Sequence, residues 1–261
     1  MINRAHEAGM AMDSPPRLEH IVDGKRAWVR ADLQREDWLF RLPPACLAEL
    51  KALLPQLAGH LTPVENIDPA QFDLPACRAF MRRVKQVLDE GVRFALIDRL
   101  PIDELGDEVA HAFYWILSSM IARPVQQKVT GTWIYPVHDT GRKATPGSGV
   151  RPDQTNMEQF FHNDNAYNTA PPDYVGLLCM RPAKSGGISH VINFYAVNNA
   201  LVRSHPHVIA RLYQPFWYDR QGEPAPDGSI TMRAPLFTYD ARSEEHTSEL
   251  QSRFGISYAV F

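Results

Sequence analysis

The sequence predicts an α+β protein, a β-core with helices packed outside it. Apolar residues recur at helical spacing in several stretches up to about residue 122. After Pro124 the texture changes to short strand-like runs separated by Gly and Pro turn signals. Hydrophobic residues make up 44% of the 261 positions, enough for a real core.

The elements follow in order. Residues 1–25 are polar and read as a loosely packed lead-in, and Trp28-Val29 as a short strand. Leu47, Leu50, Leu53, Leu54 and Leu57 predict an amphipathic helix entered through Pro43-Pro44. A second helix is expected from about Leu74 to Glu90, with Phe80, Val84, Val87 and Leu88 on one face and Gly91 as its stop. Val92–Ile97 is an apolar strand closed by the turn around Pro101. A third helix spans about Asp103–Ala122 with the stripe Leu105, Val109, Phe113, Ile116 and Met120, and His111 in it reads as structural. Strands are then expected at Thr130–Val137, Glu158–Phe161, Tyr174–Met180 and Ile188–Phe194. His138–Asp153 is a long loop of the kind that covers binding sites. Val197–Val202 and Val208–Tyr213 read as short helices. Phe216–Tyr218 and Leu236–Tyr239 read as strands joined across the Gly222–Gly228 turn region.

Composition excludes several classes. The net charge is −3 with acids and bases interspersed, which points to neither nucleic acid nor an anionic membrane as partner. The three cysteines, Cys46, Cys77 and Cys179, lack metal-ligand spacing and read as buried or incidental thiols of a reducing compartment. No apolar run approaches the roughly 18 residues of a membrane span. Met1–Arg17 has no apolar stretch of the signal-peptide type. A soluble cytoplasmic protein is the expectation.

The chemistry concentrates in Phe160-Phe161-His162-Asn163-Asp164-Asn165. On an extended strand, residues two apart share a face, so the His162 imidazole and the Asp164 carboxylate can converge on one cation. They are two parts of the 2-His-1-carboxylate set that holds non-haem Fe(II) and leaves positions open. An H-x-D pair alone is also compatible with a hydrogen-bonded pair near a turn. The wider context adds Gly91-Val-Arg-Phe-Ala-Leu-Ile-Asp-Arg-Leu-Pro101, Arg123-Pro-Val-Gln-Gln127, Asn156, and the run from Pro171-Pro172-Asp173 to Gly186-Gly187-Ile188-Ser189.

With these segments in this order, the sequence from about Trp28 to Asp240 resembles the TauD/TfdA (taurine dioxygenase-like) family of Fe(II)/2-oxoglutarate-dependent oxygenases. The resemblance implies a double-stranded β-helix (a jelly roll of the clavaminate-synthase-like type) with flanking helices. It implies His162 and Asp164 as catalytic iron ligands, and Ser189 as the hydroxyl that binds the far carboxylate of 2-oxoglutarate by a charge-assisted hydrogen bond. The implied cofactors are Fe(II), 2-oxoglutarate as cosubstrate and O₂. The implied reaction is hydroxylation or oxidative cleavage of a small molecule coupled to decarboxylation of 2-oxoglutarate to succinate. A carboxylate at 164 fits these outcomes better than halogenation. The family's distal histidine and its arginine are not found; His190, His205 and His207 read as structural or surface histidines. Asn165, Tyr167, Gln127, Thr130 and Tyr135 are candidates to line the substrate pocket, each equally readable as packing. Arg142, Lys143 and Arg151 in the long loop either hold an acidic substrate or are simply solvated. The expected partner is a small-molecule substrate, with homo-oligomerisation left open.

The last block has a different character. Arg242-Ser-Glu-Glu-His-Thr-Ser-Glu-Leu-Gln-Ser252 and Ile256-Ser-Tyr-Ala-Val-Phe261 resemble the conceptual translation of a sequencing adapter. On that reading residues 26–241 are a single oxygenase domain, incomplete at its C-terminus, and 242–261 are a non-native tail. His246 and Arg253 are then not ligands, the third metal ligand is missing, and the fragment is expected to be inactive. Two other readings remain: a non-catalytic jelly-roll protein that binds a small molecule in the same cavity, and a hydrolase using another metal.

Overall fold

The computed structural model of the chain describes residues 17–18, 20–57, 61, 63–127, 131–145, 148, 150–159, 161–162, 172–220, 224–225, 227–239, 250–252 and 257–260. The architecture is α+β. Strand β1 (Leu39–Arg41) leads into α1 (Pro44–Ala52). Pro44 sits in the first turn, where its missing N–H has no intrahelical partner to lose. The single helix expected over Leu47–Leu57 is two, because α2 (Leu54–Leu57) starts afresh. Pro55 cannot donate to the α1 ladder and its ring clashes with the carbonyl one turn back.

Helix α3 (Pro75–Asp89) matches expectation and buries Phe80, Met81, Val84 and Leu88. Strand β2 (Phe94–Asp98) follows, parallel to β1 with Leu39 opposite Leu96. The helix expected over Asp103–Ala122 is divided into α4 (Ile102–Leu105) and α5 (Asp107–Ser118). Gly106 lies between them at φ +79°, a left-handed conformation that breaks a right-handed ladder. These elements enclose the first core, in which Leu50, Val84, Leu88, Phe113, Ile116 and Leu117 are fully buried. Buried indoles are satisfied: Trp28 Nε1 donates to the Val92 carbonyl at 2.8 Å, and Trp115 Nε1 to the Ile67 carbonyl at 2.9 Å. Trp28 follows a 3₁₀ turn rather than lying on the expected strand.

Strand β3 (Tyr174–Leu177) is shorter than the expected Tyr174–Met180 and only partly covered. A Cβ at Gly176 would lie 2.7 Å from the Tyr114 hydroxyl, so only glycine lets β3 approach α5 this closely. Burial raises the Tyr114 phenol to about 12. Helices α6 (Phe194–Ser204) and α7 (Pro206–Leu212) and strands β4 (Pro215–Asp219), β5 (Thr231–Pro235), β6 (Phe237–Tyr239), β7 (Leu250–Ser252) and β8 (Ser257–Val260) complete the order. A second core forms from Leu18, Tyr195, Ile209, Tyr213 and Phe237. The lead-in takes part in it: Leu18 N–H donates to the Tyr213 hydroxyl at 3.2 Å, and Asn199 exchanges two hydrogen bonds with the Val22 backbone.

One four-stranded sheet has the order β1-β2-β8-β3, all pairs parallel. The antiparallel pairs β4–β5 and β6–β7 stand apart from it. Ladder bonds are made by main-chain groups that every non-proline residue carries, so β8 fills the gap between β2 and β3 without needing particular side chains. Strand β4 pairs with β5 rather than with Leu236–Tyr239, whose residues Phe237–Tyr239 pair instead with β7. Among the described residues, 131–137, 158–159 and 188–193 form no strand, contrary to expectation. At 131–137 the chain turns back at Gly131, with Gln127 N–H donating to the Thr132 carbonyl at 2.7 Å. At 188–193 it leads into the start of α6, which Asn193 caps in an extended conformation. No helix among the described residues is long and apolar enough to cross a membrane.

Glu49 joins the helices of the first core. Its carboxylate accepts the N–H groups of Ala76 at 2.8 Å and Cys77 at 2.9 Å, two of the orphan donors that open α3. Burial works against the charged form, yet the Cys77 and Ala76 donors outweigh it and hold this carboxyl below the usual Glu range. Its contribution is therefore complete above the unfolded-state value of about 4.3 and is lost as pH falls through the lower folded-state value. Glu49→Ala is expected to cost about 1 kcal/mol at neutral pH, and clearly less in acid, in urea denaturation.

Candidate functional site

The segment carrying His162 and the segment carrying Ser189 meet. The rings of Phe161 and His190 pack edge to face, with centroids 6.4 Å apart and planes at 76°. His162 and Ser189, the immediate neighbours of these rings, are both exposed. Asp164, Asn165, Tyr167 and Thr130 lie outside the described residues. Gln127 is exposed and its side-chain amide donates to the Val125 carbonyl at 3.1 Å, while Tyr135 is half-buried.

Several contacts hold the surroundings. On β3, the Tyr174 hydroxyl donates to Asp89 of α3, and Lys85 Nζ donates to Asp89 Oδ2 at 2.7 Å and to the Tyr174 oxygen at 2.8 Å. Burial, then the bond to Asp89, raises the Tyr174 phenol. Burial pulls the Lys85 ammonium the other way, but its bonds to Asp89 and Tyr174 prevail and raise it, so the lysine stays charged. After β3, Arg181 reaches Asp107 of α5 at 3.0 Å. The Ser189 segment is anchored at its far end by Asn193, which caps α6 through the Ala196 N–H at 2.9 Å and donates to the Arg26 carbonyl at 2.7 Å.

The long loop closes on itself. Both the N–H and the hydroxyl of Thr140 donate to the Gln154 carbonyl, at 3.0 and 2.8 Å, and Arg142 Nη1 donates to Gln154 Oε1 at 3.3 Å. Arg151 lies 3.9 Å from Asp153, and Lys143 is exposed. This clasped geometry is that of a compact Ω-type loop. His205 and His207 are surface histidines as expected, the former bonded to Ser204 Oγ at 2.7 Å. A cleft of about 520 Å³ between the lead-in and α6, lined by Trp28, Asn199 and Arg203 among others, contains none of the expected site residues.

Among the described residues no three His, Cys, Asp or Glu side chains form a metal-ligating cluster. The donor types in the two segments nevertheless suit a divalent iron with a bound dicarboxylate: an imidazole nitrogen and a carboxylate at 162 and 164 for the cation, and a hydroxyl at 189 for a carboxylate. The aromatic pair bringing these segments together escaped sequence reasoning, which treated Phe161 as a strand residue and His190 as structural. The available signal was positional, since each ring immediately adjoins an expected site residue.

The class follows from comparison with known proteins. The family described as "Taurine catabolism dioxygenase TauD, TfdA family" matches residues 56–258, and the chain belongs to it. It is therefore of a dioxygenase family, as the resemblance in the motifs implied. A relative within reach of comparison is FR-33289 synthase of Streptomyces rubellomurinus (strain ATCC 31215), 23% identical over 238 residues that cover 91% of this chain and 67% of the relative.

Proposed function

We propose that this chain carries the core of an Fe(II)- and 2-oxoglutarate-dependent dioxygenase that hydroxylates or oxidatively cleaves a small molecule. The observation carrying the proposal is the Phe161–His190 contact. The contact brings the segment that carries His162 beside the segment that carries Ser189, as a shared metal and cosubstrate pocket requires. Family membership supplies the reaction class.

In this reading His162 and Asp164 hold the metal, and Asp164 also offsets part of its charge. The Ser189 hydroxyl donates to the far carboxylate of 2-oxoglutarate and fixes its orientation. When bound, iron and 2-oxoglutarate together supply the oxygen chemistry, with succinate as coproduct. Asn165, Tyr167, Gln127 and Tyr135 are the proposed substrate neighbours. The proposed setting is a jelly roll with flanking helices, one domain over residues 26–241, in the cytoplasm. With two assigned ligands instead of three, the 261-residue chain is expected to hold iron weakly and to release little succinate.

The test is anaerobic titration with Fe(II) and then 2-oxoglutarate, followed by succinate measurement after admitting air. Iron-dependent 2-oxoglutarate binding that needs His162 and Asp164 supports the reading. Tight ligand binding that ignores iron and leaves 2-oxoglutarate intact would replace it with the binding-protein alternative. Ser189→Ala is expected to weaken 2-oxoglutarate by about 10-fold or more, the worth of a hydrogen bond to a charged group, while leaving metal affinity unchanged.

A further inference from the structure

We propose that Cys46 and Cys77 form an oxidisable dithiol whose disulfide ties the first turn of α1 to the first turn of α3. Both side chains are fully buried in the first core. Their sulfurs lie 2.7 Å apart, closer than two unbonded sulfurs rest and a small movement from the S–S bond of about 2 Å. The Cys77 thiol also donates to the Cys46 carbonyl at 3.3 Å. A contact that involves neither sulfur fixes the same register: Glu49, one turn beyond Cys46, grips the Ala76 and Cys77 N–H groups. The two helix starts are thus held face to face before any bond forms.

The step takes a hydroperoxide as oxidant. One sulfur attacks the O–O bond of hydrogen peroxide, which breaks to give a sulfenic acid and water. The second sulfur then displaces that hydroxyl; the S–S bond forms, the S–O bond breaks and a second water leaves. Each sulfur gives up one electron in net terms, and the peroxide accepts both. The thiol of Cys77 is raised well above its ordinary value, first by its bond to Cys46 and then by burial, so the reactive thiolate is scarce in the closed structure. Oxidation is consequently slow compared with that of an exposed thiol and accelerates when the helices part. The product closes a loop containing α2 and the turns before α3, which restricts the unfolded chain. The inference stands independently of the oxygenase reading.

The experiment uses the 261-residue chain carrying Cys179→Ala, which removes the exposed thiol. The protein is treated with hydrogen peroxide, alkylated under denaturing conditions, and digested without reductant for mass spectrometry. The expected result is a peptide pair joined through Cys46 and Cys77, lighter by two hydrogens and separated by a phosphine reductant. The melting temperature is expected to rise by on the order of 5–10 °C on oxidation. Neither change is expected in Cys46→Ala or Cys77→Ala. Full alkylation of both thiols after peroxide, or their conversion to sulfinic or sulfonic acids without a cross-link, overturns the proposal. The digest of the Cys179→Ala protein decides the matter even if the core cysteine variants fail to fold.

Discussion

His162→Ala is expected to lower Fe(II) affinity by more than about 100-fold, because removal of residues that merely orient a ligand already costs 10–100-fold. The reasoning starts from donor chemistry. An imidazole nitrogen and a carboxylate oxygen are the borderline and hard donors that ferrous iron accepts, and losing either leaves one assigned protein ligand. Asp164→Asn is expected to act in the same direction, since it keeps the shape and removes the charge. His162→Ala is not expected to move the melting temperature of the metal-free protein appreciably, because His162 is exposed and takes no part in either core. Anaerobic iron titration together with thermal unfolding separates the two quantities. Equal affinity in wild type and His162→Ala would place the metal elsewhere.

The largest expected effect on stability is at Phe113. Its ring is fully buried in α5, at the centre of the first core with Val84, Leu88, Ile97 and Ile116. Phe113→Ala removes the ring and leaves a cavity that two helices and a sheet cannot fully close. The expected cost is about 3–5 kcal/mol, a large share of the roughly 5–15 kcal/mol of a typical domain. Urea denaturation should show a lower midpoint with an unchanged slope. Ile188→Ala provides the contrast. Ile188 is 76% exposed, so its truncation is expected to change stability by less than about 0.5 kcal/mol.

The helices were the legible part of this sequence. Phe80, Val84 and Leu88 recur at the helical period, and α3 lies where they place it. The breaks were less legible. Leu105 and Val109 continue one apolar stripe across Gly106, and a spacing pattern cannot register a single backbone angle. Pro55 carried a signal that the leucine spacing overrode. Strands were harder, because a ladder depends on a partner elsewhere in the chain. The β4–β5 pairing shows this: the expected partner strand, Phe237–Tyr239, pairs instead with β7.

The candidate site divides similarly. Residue type and spacing alone nominate His162 and Asp164 as candidates. Ser189 is a candidate only through resemblance, since no local pattern relates it to His162. The structure shows the rings next to each residue, Phe161 and His190, in contact. The Glu49 bonds to α3 and the tie of Tyr174 to Lys85 and Asp89, which hold α1, α3 and β3 together, were not legible, because each joins residues far apart in the chain.

Metal-catalysed oxidation mapping tests the central claim most directly, since it locates bound iron without requiring turnover. The chain is loaded with Fe(II), exposed to ascorbate and air, and sequenced by mass spectrometry. Oxidation concentrated at 160–165 and 188–190, suppressed by His162→Ala, is the predicted result. Oxidation centred on His205 and His207, or a pattern unchanged by His162→Ala, would contradict it.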